Sequence, residues 1–104
     1  MIRNMETLSE IEARLDDLTT SLLVPLRSSK TLDGVAFAGL LALGHDLVTA
    51  VSSEVTVPIS LVGKCWFLFT AMLAEADHSR APEPILEAAW QWQEYLRRAF
   101  GPRF

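Results

Sequence analysis

The stretch ISLVGKCWFLFTAMLA, residues 59–74, holds sixteen residues and a single charge, Lys64. A helix that is apolar nearly all the way round has to be covered on most of its sides. Three settings do this: the core of a helical bundle, an interface with another chain, or a lipid bilayer. A membrane span needs about 20 mostly apolar residues, and a central charge costs several kcal/mol. Lys64 interrupts this stretch, and a second apolar stretch, 34–51, carries His45 and Asp46 in its second half. A bundle is therefore expected and membrane insertion is not; a membrane-associated helical hairpin is kept as the third reading.

The rest of the chain supplies helices to build that bundle. Thr7 and Glu10 have the spacing of a capping box, ahead of Leu8, Ile11, Leu15, Leu18 and Leu22 at three- and four-residue intervals. Pro25 is expected to stop that helix, because proline has no N–H for the helical ladder. Asp33 is a suitable N-cap for a second helix, with Phe37, Leu40, Leu43, Leu47 and Val51 on one face and Ala38, Ala42, His45, Asp46, Thr49 and Ser53 opposite. Gly39 and Gly44 weaken that helix and so are expected to admit a close neighbour. EVTVP (54–58) is strand-like but too short and isolated for a sheet, and Pro58 suits the first turn of a third helix.

The third helix has a thin polar side of Ser60, Lys64 and Glu75, with His78 at its end. The fourth begins near Pro82 or Pro84 and stops at Gly101 and Pro102, with Ile85, Ala89, Trp92, Leu96 and Ala99 on its core face. The expected fold is all-α: a single domain, 1–104, forming an antiparallel up-and-down four-helix bundle with helices at about 7–24, 33–53, 58–78 and 82–100.

Composition narrows function more by exclusion. A formal charge of −4 disfavours general nucleic-acid binding, which needs Lys and Arg to neutralise phosphates. Cys65 is the only cysteine, so neither an internal disulfide nor a thiolate metal cluster can form within one chain. The setting expected is reducing and cytoplasmic, and MIRNMETLSE at the start has no apolar stretch of the secretory type.

The richest chemistry lies in Glu75-Ala76-Asp77-His78, whose Glu-x-x-His spacing occurs in di-metal bundles. Such sites need two copies and further glutamates, and His45 has Ala42 three residues before it. A metal or catalytic site built from His45, Asp46, Glu75 and His78 is the second reading. The first is structural: Asp77 projects beside Trp66 and Thr70, and a carboxylate among apolar groups requires a partner. A link from Asp77 to Arg80, or to backbone N–H groups of the fourth helix, is expected. Cys65 reads as an inert core thiol, and no nucleophile elbow or phosphate loop is present.

These exclusions leave aromatic surface as the lead. Trp90 falls among Glu83, Glu87, Glu94 and Arg97 rather than on the core stripe, where it reads as a binding anchor unless a loop or the Arg103–Phe104 tail covers it. The expectation is a non-enzymatic protein-binding bundle without cofactors: an inhibitor or immunity-type protein, or a regulatory adaptor. Its partner would be another protein, a second copy, or both. The expected contact residues are Phe67 and Leu68 on the third helix and Leu86 and Trp90 on the fourth.

Overall fold

The computed structural model describes residues 7–101 and resolves them into four helices: α1 (Leu8–Ser29), α2 (Gly34–Ser52), α3 (Ile59–Asp77) and α4 (Glu83–Phe100). The described residues contain no strand, and the expected all-α four-helix bundle is what forms. Pro102 and the Arg103–Phe104 tail lie outside the described residues.

Local signals set most of the helix ends. The Thr7 hydroxyl accepts the Glu10 N–H at 3.1 Å, and the Glu10 carboxylate accepts the Thr7 N–H at 3.0 Å, completing the capping box. The Asp33 carboxylate accepts the N–H groups of Val35 and Ala36 at 2.9 and 3.0 Å. Gly101 ends α4 with φ at 77°, a region where a β-carbon would be strained.

The end of α1 departs from expectation, because the helix runs through Pro25 to Ser29. An internal proline costs about 3 kcal/mol. Leu22, Leu23 and Leu26 are all buried, and stopping at Val24 would forfeit the burial of Leu26 at about 1.5–3 kcal/mol. Hydroxyls reinforce the last turn, Ser28 donating to the Val24 carbonyl and Ser29 to that of Pro25, both at 2.9 Å. Lys30 then closes the helix in the left-handed region, with φ at 55°.

The order of packing also differs from a simple up-and-down ring. Among the described residues α1 packs on α2 and α3, and α4 packs on α2 and α3, while α2 with α3 and α1 with α4 make no contact. The chain therefore forms two antiparallel hairpins, α1–α2 and α3–α4, and the 53–58 link crosses a diagonal between them. Cross-bonds give the directions. Arg14 meets Asp46 at 3.0 Å, as antiparallel α1 and α2 require. Glu12 meets Lys64 and Lys30 meets Glu75, so α1 and α3 run parallel.

The core lies where the four helices converge, around Leu15, Leu22, Leu40, Leu47, Leu61, Leu68, Met72, Trp92 and Leu96, all fully buried. The Trp92 indole N–H donates to the Cys65 carbonyl at 3.0 Å, fixing the α3–α4 register while satisfying a buried donor. Gly44 admits α4 as expected, since a β-carbon there would lie 2.7 Å from Cγ of Tyr95.

Candidate interaction surface

The polar strip of α3 lies along α1 and stays partly exposed to water. The Lys64 ammonium donates to Glu12 at 2.9 Å and to Asp16 at 3.1 Å, and the Ser60 hydroxyl donates to Glu12 at 3.1 Å. About three turns further along α3, Lys30 donates to Glu75 at 2.6 Å, with Arg27 at 3.8 Å from the same carboxylate. The Lys64 ammonium holds the Glu12 carboxyl below the usual carboxylate range, and Lys30 does the same for Glu75. These charges form the α1–α3 seam because α1 carries complementary charge along the flank of its leucine stripe.

That arrangement turns an apolar face of α3 outward. Ile59, Gly63, Phe67, Thr70, Ala74 and Asp77 are exposed and share one side of the helix. Phe67 is 52% exposed and Ile59 is 89% exposed. Trp66, Phe69 and Leu73 flank this side and are half-buried against the core. The Trp66 and Phe69 rings meet edge to face with centroids 5.6 Å apart. Only Lys64 and Glu75 are charged between Ile59 and Ala76, so no charge interrupts the outward strip before Asp77.

The second helix is also thinly covered. Both α2 and α3 have the length and composition of membrane spans, and only 33% of each apolar window is buried in the bundle. The outer face of α2 carries small residues, Ala38, Ala42 and Thr49, together with His45. That of α3 carries an aromatic ring.

On α4, Trp90 is 58% exposed, and Leu86, one turn earlier, is half-buried. Because Trp92 is bonded to Cys65 across antiparallel helices, Trp90 and Phe67 lie two residues beyond that bond, each on its own helix, at one level of the hairpin. Phe67, Leu86 and Trp90 are thus where a partner could reach them. Leu68 is not. It is fully buried, because the side of α3 next to the polar strip packs against α1 instead of standing open.

The Asp77–Arg80 link does not form. Both residues are exposed, and among the described residues no hydrogen bond or ion pair joins them. Asp77 and Thr70 were expected among apolar groups and are exposed instead, with Trp66 half-buried at their flank, so the Asp77 carboxylate stays in contact with water. The polar ties of α3 come from Lys64 and Glu75.

The alternative metal set is scattered. Asp46 pairs with Arg14 and Glu75 with Lys30, on helices that do not touch among the described residues. No group of three His, Cys, Asp or Glu residues among those described gathers closely enough to hold a metal ion. Burial pushes the Cys65 thiol up to about 12, which leaves the thiol protonated and unreactive near neutrality. An open cavity of about 460 Å³ lies under the diagonal link, between Val51, Val57, Val62, Ala99 and Phe100, with Glu54 at its edge. It brings together no catalytic pair. No known protein family, curated protein or solved structure matches the chain.

Proposed function

We propose that this chain works in the cytoplasm by binding protein, through the outward side of α3 and the adjoining shoulder of α4. The supporting observation is the strip from Ile59 to Ala74, an exposed helical face without charge and centred on Phe67. Large apolar patches on a folded domain mark interaction sites, and exposed aromatic residues are favoured anchors within them. Trp90 and Leu86 widen the strip on one side, while the α1–α3 charge seam borders the other. An inhibitor that blocks a partner and an adaptor that recruits one would use such a surface equally.

Two observations weigh against the competing readings. A catalytic or metal role needs groups that converge, and His45, Asp46, Glu75 and His78 are dispersed between α2 and α3. An α2–α3 membrane hairpin would strip Lys64 and Glu75 of their α1 partners, at a cost of several kcal/mol for each buried charge.

The test compares binding by wild-type protein with Phe67→Asp and Trp90→Ala, using Thr49→Asp on the opposite outer face as the control. Both surface variants should lose partner association while their circular-dichroism helix signal stays unchanged, and the control should keep both. The proposal fails if the protein is a monomer at high micromolar concentration, no partner is found, and both aromatic residues are solvated.

A further inference from the structure

Resting on that reading, we infer that the partner is a second copy of this chain, docked with its α3 antiparallel to the first across a two-fold axis. The outward positions Gly63, Phe67, Thr70, Ala74 and Asp77 are spaced four, three, four and three residues apart, and Ser60, exposed at the edge of the strip where it donates to Glu12, continues the alternation by three more. This is the alternation of a two-helix seam, and it reads the same in both directions. Reversed on itself, the strip sets Gly63 opposite the partner's Ala74 and Phe67 opposite the partner's Thr70. Small side chains at the outer layers let the helices approach, and each ring lies over a short neighbour near the axis. A β-carbon at Gly63 would meet nothing within 4 Å in the single chain, so that space is open to a second helix.

Charge favours the antiparallel sense over the parallel one. Asp77, the first charge on the strip, sits at the C-terminal end of α3, where the helix dipole opposes a negative group. Pro58, at the other end, supplies no side-chain cap to the first-turn N–H groups. Antiparallel docking brings the partner's Asp77 beside Ser60 in that first turn, where a carboxylate is favoured. The bordering seam is matched as well. Near the start of α3 two carboxylates, Glu12 and Asp16, surround one ammonium, Lys64. Near its end two cations, Arg27 and Lys30, surround one carboxylate, Glu75. Reversal places the acid-rich cluster of each protomer by the base-rich cluster of the other, whereas parallel docking would set the two seams on opposite sides of the helix pair.

Sedimentation of the wild-type protein from low to high micromolar concentration, together with mixed-chain cross-linking, tests the inference. The wild type should dimerise, and Phe67→Asp should weaken the dimer by about 30-fold or more. In a Cys65→Ala background, a mixture of Gly63→Cys and Ala74→Cys chains should form a disulfide-linked dimer under mild oxidation. Either variant alone should not, because its two thiols would be about 16 Å apart along the axis, beyond disulfide reach. Cross-linking of Gly63→Cys with itself would overturn the antiparallel register. A wild type that stays monomeric at high micromolar concentration would overturn the self-pairing. If Phe67→Asp then still abolished binding to a different protein, the protein-binding reading would stand without it; if Phe67→Asp changed nothing, both would fall.

Discussion

Gly44 and Tyr95 are in such close opposition that a β-carbon on the glycine would lie 2.7 Å from Cγ of the ring and 2.9 Å from Cδ2. Gly44→Ala raises helix propensity by about 1 kcal/mol but forces α2 and α4 apart, and overpacking of this kind costs about 1–3 kcal/mol. Urea denaturation should show no gain, and a net loss of up to about 2 kcal/mol. Gly63→Ala, with open space around it, should show the propensity gain under conditions where the protein is monomeric. Equal effects at the two glycines would mean that α2 and α4 are not in this close contact.

Acid should weaken the fold through the α1–α3 seam and the first cap. Lys64, Lys30 and the Thr7 backbone hold Glu12, Glu75 and Glu10 respectively below their ordinary value of 4.5. The unfolded chain therefore takes up protons at a higher pH than the folded one. The stability these groups give is complete above about pH 4.5 and is lost as pH falls through their folded values. Lys64, raised above its ordinary 10.5, contributes below that pH and loses its contribution as pH rises through the folded value. Denaturation midpoints across the acid range should fall less steeply in Glu75→Gln than in the wild type.

Cys65 should be silent toward thiol reagents in the native state. With its thiol fully buried and pushed up to about 12, labelling at pH 8 should follow the rate of unfolding and rise sharply in denaturant. Rapid native labelling would place the residue outside the core.

Asp77→Ala should change stability by no more than about 0.5 kcal/mol, since the carboxylate is exposed and sits at the unfavourable end of the α3 dipole. A loss of 1 kcal/mol or more in thermal or urea melts would restore the interior role that its spacing suggested.

Helix number and type were legible because each signal acts over a few residues. Thr7 with Glu10, and Asp33, each specify an end through side chains that bond the adjacent backbone, and Pro58 and Gly101 through their own backbone, whatever surrounds them. Pro25 was misleading because its local cost competes with burial of Leu26, a tertiary gain that no local signal reports. The orientation of α3 was hidden for a related reason. With Leu68 on one side of the helix and Phe67 on the other, hydrophobicity marks both sides as interior. The deciding signal lay about fifty residues away, in Glu12, Asp16, Arg27 and Lys30, whose charges complement Lys64 and Glu75. Phe67 and Trp90 could be found as exposed apolar residues from their spacing, with Leu86 half-buried beside Trp90. Leu68 could not be excluded without knowing which helix covers α3.

The diagonal link at 53–58 has a consequence for the order in which the molecule assembles. Each hairpin closes through a loop of only four or five residues, 30–33 or 78–82, so its contacts are near in sequence and form early. Contacts between the hairpins, α1 with α3 and α2 with α4, span roughly half the chain and carry the larger loop-closure cost. The expected kinetic bottleneck is therefore the docking of two preformed halves. A break in the backbone within 53–58 would turn that step into a bimolecular encounter, leaving the internal turns of both halves intact.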